Sequence, residues 1–516
     1  MKKSFIYLFL VWAISMIIIG QANTYEIEGS FSNFFLNRNH NESIFSERFE
    51  EARSKIINIM METGVPSISV AVAKDGRIIW EEAFGWANRE KRIKATPHTM
   101  YSLASISKPI TATGLMILLE RGLIDLNLPA NNYLGPAKLV GYEGKALDAT
   151  VSRILHHTSG LPLHWNFFFE NEPYRRPSMD ETIRRYGILV AEPGEVYQYS
   201  NLGYGILDYI ISRVSGKSYE EFMKAEVFVP LGMTHTSIQI GPGLEDYAAQ
   251  RYSPEQTPYA FYDFDHRGAS AVFSSAHDLV QFGMFHLKNH LSNQEVILKD
   301  ETIERMQQDV DPKLPDMLYR LGWRVEDNDY GYRSVSHKGG MKGVSTSLKL
   351  IPSENLAVVV LCNGNHGKIY NLENEILAAL LPKFAQNFMA KEKKSEDKKP
   401  EIFSPPSSLL GNWTGKIKTY SGIMPIEFVF QNDGDVHVKI KNQFETLLNN
   451  VSLKDQFFTG DSYGEIETED ARRTPHTLYF VMKLRGKRLS GYVCAVPAGG
   501  LSSYIYLERK SKDKKN

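Results

Sequence analysis

The sequence predicts an α/β (α+β) domain over residues 45–388, followed by a small all-β domain, a barrel or sandwich, over 409–510. Three observations predict this. Strand-like alternation marks both ends of the first segment and helical periodicity fills its middle, so the strands can form one sheet with helices on its two faces. A charged, proline-bearing stretch, residues 389–408, then breaks the pattern as a linker. Beyond it nearly every periodic segment alternates as a strand.

Taken in order, the chain opens with Lys2 and Lys3, an apolar run from Phe5 to Ile19, and the small-residue stretch Gly20-Gln21-Ala22. The run is shorter than the roughly 20 residues a membrane-spanning helix needs, so residues 1–22 read as a secretory signal peptide, with an uncleaved anchor as the other reading. Either way export is expected, to a secreted or periplasmic location if the peptide is cleaved. Residues 23 to 44 have no clear period. Phe49, Ile56, Ile57 and Met60 then predict a helix closed by Gly64. Ser67 to Ala73 alternates, Asp75-Gly76 supplies a turn, and Arg77 to Glu81 starts the return strand.

Ile110, Leu115, Leu118 and Leu119 predict the next helix, which Gly122 stops. Val151, Ile154 and Leu155 mark a short helix that ends at His156-His157. Residues 125 to 270 otherwise read as a helical subdomain with loops rich in proline, glycine and aromatics. Ser275 is an N-cap candidate with Asp278 three residues on, and Leu279, Phe282 and Phe285 continue that helix as core. Strands are expected at 321–325, 334–337, 345–351 and 356–361, before a last helix with Leu372, Ile376, Ala379 and Leu380. In the C-terminal segment Ile426, Phe428 and Phe430 alternate before Asp433-Gly434, and Val436, Val438 and Ile440 alternate after it. Residues 478–484 and 489–493 form another hairpin.

Composition narrows the class. At 516 residues with 42% hydrophobic and 11% aromatic content, the chain can build ordinary cores. A formal net charge of -1 gives no pull towards nucleic acid or an anionic membrane surface, so small or neutral partners fit better. The two cysteines, Cys362 and Cys494, lie in separate apolar runs and read as buried free thiols. No metal-ligand pattern is evident, and His156 and His157 read as packing and hydrogen-bonding residues.

Three stretches carry candidate chemistry. Ser105 and Lys108 share one face at the start of a helix, a nucleophile beside a base. The unpaired N-H groups and positive dipole there favour a developing alkoxide and disfavour an ammonium. The same spacing recurs at Ser395/Lys398 and Ser511/Lys514, so spacing alone does not select a site. Tyr199-Ser200-Asn201 follows a turn-rich approach and reads as a loop, where alternate residues point the same way. Tyr199 beside a cationic lysine would have a lowered pKa and relay a proton, and Asn201 would bind an amide or carbonyl. His337-Lys338-Gly339-Gly340 ends a strand whose glycines admit close approach of a substrate, with the Gly340 N-H joining the Ser105 N-H as an oxyanion hole.

In order and setting, Ser105-x-x-Lys108, Tyr199-x-Asn201 and His337-x-Gly339 resemble the motifs of the serine β-lactamase and penicillin-binding-protein superfamily. Residues 70–76, 157–161 and 357–360 add to the likeness, which runs from about 50 to 385 on the branch of class C β-lactamases, DD-peptidases, D-aminopeptidases and esterases. The resemblance implies an antiparallel sheet flanked by helices plus a helical subdomain. Ser105 would be the acylated nucleophile, Lys108 its base, Tyr199 the proton shuttle, and Asn201, His337, Gly339 and Gly340 the substrate-binding set. No metal or organic cofactor is implied. The partner is a small-molecule or short-peptide substrate, with cell-wall or membrane proximity, and the sequence sets no oligomeric state.

Class C β-lactamases usually carry Lys-Thr-Gly at the third motif. Here His337 takes the first place, Lys338 should point to the other face, and Lys342 is the nearest further cation. The leading expectation is therefore a DD-peptidase/D-aminopeptidase-like peptidase or esterase. A class C-like β-lactamase is the alternative, and a non-catalytic cell-wall-peptide binding protein is the rival of another class. The acyl pocket is expected from loops around 160–180 and 255–270. The C-terminal segment, with Gly411-Asn412-Trp413 near its first strand, resembles a lipocalin-like β-barrel.

Overall fold

A computed structural model describes residues 49–392, 403–471, 476–496 and 499–510. The stretch read as a signal peptide and most of the first half of the linker lie outside the described residues. Helix α1 (Glu50–Thr63) precedes strands β1 (Ser67–Lys74), β2 (Arg77–Asn88) and β3 (Ile93–Lys94). Helices α2 (Ser107–Glu120), α3 (Asn201–Ser215) and α4 (Ala276–His286) stand in the middle of the chain. Strands β4 (Arg324–Asp329), β5 (Tyr332–Met341), β6 (Val344–Ile351) and β7 (Leu356–Cys362) follow, then helices α5 (Leu372–Leu380) and α6 (Pro382–Glu392).

The strands form one seven-stranded sheet in the order β4-β5-β6-β7-β1-β2-β3, with every pair antiparallel. Its centre joins the two ends of the domain, with Ile68 opposite Cys362 and Lys74 opposite Leu356. Every residue of β7 is buried, and so are Ser67 to Ala73 of β1. Strands covered on both faces read as unbroken apolar runs, and successive side chains there serve two different cores. Ala71, Ala73, Val359 and Leu361 pack with Ile110 of α2 and Leu279 and Phe282 of α4. Val70, Val72, Val358 and Val360 pack on the other side with Ile56 of α1 and Ile376 of α5.

Two boundaries differ from expectation. The strand expected at 321–325 begins only at Arg324, because the Arg320 N-H donates to the Trp323 carbonyl at 2.6 Å and closes a tight turn through Gly322, φ 90°. Helix α6 runs to Glu392, into the stretch read as linker, with Phe384 and Phe388 anchoring it in the core.

The C-terminal segment is a nearly closed antiparallel barrel. Its strands are β8 (Gly411–Thr419), β9 (Gly422–Phe430), β10 (Val436–Ile440), β11 (Thr446–Leu447), β12 (Asn449–Lys454), β13 (Phe457–Gly464), β14 (His476–Arg485), β15 (Arg488–Val496) and β16 (Leu501–Arg509). They pair in the order β11-β10-β9-β8-β16-β15-β14-β13-β12. The two edge strands are consecutive in sequence with only Leu448 between them, so the sheet must curl until its edges meet. Trp413, Ile426, Phe428, Val438, Phe480 and Ile505 alternate inward and fill it.

Candidate active site

Ser105 lies in a 3-10 turn, Ala104–Ile106, immediately before α2, and is half-buried. Ala104 adopts φ 49°, a left-handed conformation that costs a non-glycine residue on the order of 1–3 kcal/mol. Neighbouring segments hold it there. The Leu103 N-H donates to the Val272 carbonyl at 2.8 Å, the Val272 N-H donates to Ser107 Oγ at 3.1 Å, and Thr346 Oγ1 donates to the Leu103 carbonyl at 2.8 Å. The Ser105 turn is thus pinned by the 268–272 segment on one side and by β6 on the other.

One helical turn on, the Lys108 side chain is fully buried. Its amine contacts Ser105 Oγ at 3.1 Å, Asn201 Oδ1 at 2.8 Å and the Ala269 carbonyl at 3.2 Å. All three acceptors are neutral. Burial therefore pushes the Lys108 pKa well below its ordinary value, with no carboxylate partner among the described residues to hold it up.

Asn201 was expected on a loop but is the first residue of α3. Ser200 is the N-cap, its Oγ accepting from the Gly203 N-H at 3.2 Å. The helix fixes the Asn201 side chain: Oδ1 accepts from Lys108 while Nδ2 donates to the His164 carbonyl at 2.9 Å. Tyr199 precedes the cap and interacts with Ser105, with its ring centroid 4.6 Å from the Lys108 amine. The lowered tyrosine pKa expected from sequence is overturned. Burial raises Tyr199 above its ordinary value, and its interaction with Ser105 offsets this only in part.

The third motif lies on β5 past the point where β4 stops. Pairing with β4 reaches Ser336, so His337 to Met341 keep strand pairing only with β6. His337 is buried. Its Nδ1-H donates to the Lys338 carbonyl at 2.8 Å, which leaves Nε2 to accept from the Tyr319 hydroxyl at 2.9 Å. Burial lowers the His337 pKa to about 3, so the ring is neutral. Lys338 points to the other face, donating to the Tyr370 carbonyl at 2.6 Å and pairing with Glu373 at 2.9 Å. Gly339 packs against the Ser105 turn, and a Cβ on Gly340 would meet Tyr370 Oη at 2.2 Å. Lys342 is exposed, its amine 5.7 Å from the Phe169 ring.

The structure therefore brings Ser105, Lys108, Tyr199 and Asn201 into direct contact and sets the 337–340 edge beside them. Sequence reasoning missed a buried aromatic layer behind this group. Tyr319 joins His337 to Tyr204, which is itself anchored to the Leu155 carbonyl at 2.9 Å. His157 accepts from the Ser200 N-H at 3.1 Å and its ring centroid lies 4.3 Å from that of Tyr199. His157 sits in the expected His-His pair, but no spacing rule reaches Tyr319.

The barrel also closes on the site. A cavity of ≈ 330 Å³ beside Tyr199 is lined by Leu163, Val196, Tyr197 and Gln198 together with Phe457, Val481 and Tyr492 of the barrel. Of the two loops expected to shape a pocket, only the first contributes here, through Leu163. The docking contacts are specific. Trp165 and Gly500 exchange backbone hydrogen bonds at 3.0 and 2.7 Å, and Ser502 Oγ donates to the Leu163 carbonyl. Glu195 accepts from Arg485 through both oxygens, at 2.5 Å each, and from Lys483 at 2.9 Å. The residue between Leu163 and Trp165 is His164, whose carbonyl holds Asn201 and whose ring bonds the buried Asp265 at 2.8 Å.

Comparison with known proteins places this arrangement. The chain is 28% identical over 363 residues to penicillin-binding protein 4* of Bacillus subtilis, an alignment covering 65% of this chain and 76% of that protein. A penicillin-binding protein homologue from Pyrococcus abyssi, described as octameric, superposes with a TM-score of 0.57 at 24% identity over 89% of this chain and 99% of its own. A class C beta-lactamase superposes with a TM-score of 0.53 at 16% identity over 70% of this chain and 100% of its own. The profile of the family described as Beta-lactamase matches residues 48–381. With that match spanning most of the chain and the sheet and helices in hand, the chain belongs to the beta-lactamase family.

Proposed function

We propose that the chain is a serine hydrolase that cleaves an amide or ester bond of a small molecule or short peptide through an acyl-enzyme on Ser105. The observation that carries the reading is the Lys108 amine, fully buried among neutral acceptors and 3.1 Å from Ser105 Oγ. Lys108 takes the Ser105 proton as Oγ attacks the substrate carbonyl. The N-H groups of Ser105 and Gly340 receive the oxyanion. Tyr199, protonated at neutral pH, gives its proton to the leaving group and is reprotonated from Lys108. Water then attacks the ester at Ser105 in a second tetrahedral step, with Lys108 and Tyr199 reversing their proton transfers. Asn201 orients Lys108, and His337, Gly339 and Gly340 bind the substrate along the free edge of β5.

A peptidase or esterase leads over a β-lactamase because the strand beside the site offers no cation facing the substrate. His337 is neutral and Lys338 is turned to Glu373. The apolar wall of Leu163, Val481 and Phe457 favours a substrate with a hydrophobic group. The expectation of export rests on residues 1–22, and among the described residues no helix is long and apolar enough to cross a membrane.

The test is a fluorophosphonate or labelled penicillin followed by peptide mass mapping. Label on Ser105, absent in Ser105→Ala, supports the chemistry, whereas a folded chain that takes no label at Ser105 overturns it. Turnover of p-nitrophenyl esters, D-alanyl peptides and nitrocefin then ranks the substrates. A nitrocefin rate above the other two reverses the order proposed here, and tight binding with no turnover points to a receptor.

A further inference from the structure

Away from the nucleophile, the start of α4 and the loop before Tyr101 bring three imidazoles and a carboxylate together. Glu81 stands on β2, His277 is the second residue of α4, and His98 lies in the loop that leads to Ser105. One donor atom from each falls within 4.8 Å of the others. His277 Nδ1 is 2.8 Å from Glu81 Oε2. The His98 ring is 4.7 Å from that of His277 and 5.0 Å from that of His235, centroid to centroid.

Backbone contacts build the cluster. The His277 N-H donates to the Pro97 carbonyl at 3.2 Å, the His98 N-H donates to Thr96 Oγ1 at 3.3 Å, and the His235 N-H donates to Asp278 Oδ2 at 2.7 Å. Solvent still reaches it, with the His277 and Glu81 side chains 28% and 27% exposed. Yet His98 Nδ1 is buried with no hydrogen-bond partner among the described residues, and so is Asp278 Oδ1 beneath the cluster. A buried imidazole nitrogen without a partner is uncommon in a finished hydrogen-bond network. A ligand that accepts its lone pair would satisfy it.

We propose that Glu81, His98 and His277 form a binding site for a divalent transition-metal ion of the zinc class, with His235 alongside as a candidate fourth ligand. Two imidazoles and one carboxylate are a donor set that zinc accepts, and imidazole excludes a site built for magnesium or calcium. Tetrahedral bonds of about 2.0–2.1 Å hold ligands roughly 3.4 Å apart. Half-exposed side chains on three separate elements can close that gap by rotation. The ion would tie the 96–99 loop to both β2 and α4, bracing the segment that runs through Tyr101 and Ser102 into the nucleophile turn.

The experiment titrates the metal-stripped full chain with Zn2+ against a chromophoric chelator, for the wild type, His98→Ala, His277→Ala and the barrel control His437→Ala. The expected result is one Zn2+ per chain in the wild type and control, weakened about 100-fold or more in either site variant, since losing even an outer-shell partner costs about 10–100-fold. Equal affinity in all four chains overturns the proposal, and so does the absence of Zn2+ binding. So does binding that survives His98→Ala but disappears in His266→Ala, which would move the ion to the buried His164–Asp265–His266 group. Where a variant fails to fold, Cu2+ bound to the wild type decides by electron paramagnetic resonance: coupling to two or three imidazole nitrogens is expected, and coupling to one or none overturns the site.

Discussion

Gly339 and Leu103 meet more closely than any side chain would permit: a Cβ on Gly339 would lie 2.1 Å from the Leu103 carbonyl oxygen and 2.3 Å from Thr346 Oγ1. Strand β5 can therefore lie against the Ser105 turn only where it lacks a side chain. Backbone atoms on one side cannot yield as a flexible side chain would. Gly339→Ala is expected to destabilise the domain by about 1–3 kcal/mol, the usual range for overpacking. It should also lower kcat/KM for esters by more than about 10²-fold, because an ångström of misplacement has that cost. Thermal melting and ester kinetics check both.

Lys108 couples activity to stability in opposite directions. Lys108→Met should lower kcat by about 10²–10⁴-fold, the span of a lost general base. Its melting temperature should hold or rise, because the variant no longer buries an amine. The pH dependence has a definite sign. The folded lysine releases its proton below the ordinary value of 10.5, so the unfolded chain binds more protons between the two values and this residue's contribution to stability grows with pH across that window. Activity follows the free amine and should fall on the acid side. A kcat/KM profile that rises as pH falls would contradict this.

Tyr199→Phe should separate substrates by their leaving groups. A p-nitrophenolate leaves without a proton, whereas a peptide amine needs one, so the amide rate should fall by about 10²–10⁴-fold and the activated ester rate far less. Because burial raises the Tyr199 pKa, its deprotonation should produce no alkaline limb below the ordinary value of 10.0. Paired kinetics on one ester and one D-alanyl peptide measure the split.

The barrel is expected to act on the site through Trp165. A Cβ on Gly500 would come within 2.3 Å of the Trp165 ring, and the His164 carbonyl beside it holds Asn201. Gly500→Ala should displace that carbonyl and lower kcat by about 10-fold or more while the barrel stays folded, by the same sensitivity to misplacement. Intrinsic fluorescence and kinetics on the full chain report on the two sides of the contact.

Glu195 gives the docking surface its own acid sensitivity. Burial alone would raise its pKa, but the hydrogen bonds and charges of Arg485 and Lys483 outweigh that and bring it down to about 2. A depressed carboxylate contributes stability that is fully present above the ordinary value of 4.5 and is lost as pH falls from there towards 2. Glu195→Gln should therefore lower the melting temperature at pH 7 and reduce the difference from wild type as the pH drops through this window. Calorimetry at several pH values is the check.

How much of this was legible in the sequence depends on distance along the chain. Ser105 and Lys108 share a helix face, and β1 with its Asp75-Gly76 turn is local, so spacing and turn chemistry reach them. The Ser200 cap was also local, but the turn residues before it drew Tyr199 and Asn201 together into one loop. The pKa of Tyr199 was misjudged because its sign depends on how deeply Tyr199 itself is buried, and spacing carries no burial. Tyr319, Tyr204 and the barrel wall of Phe457, Val481 and Tyr492 join the site only through tertiary contacts, which leave no periodic trace.

The pairing of β1 with β7 sets how this protein can be made. Val70 waits for Val360, so during synthesis the apolar strand that becomes the sheet centre has one edge open until nearly the whole first domain has emerged. Long-range pairing of this kind folds slowly and leaves sticky intermediates in the meantime. Chaperone demand and aggregation during expression should therefore concentrate on nascent chains that end before residue 356, and fragments cut short of it should accumulate as insoluble material rather than as partial enzymes.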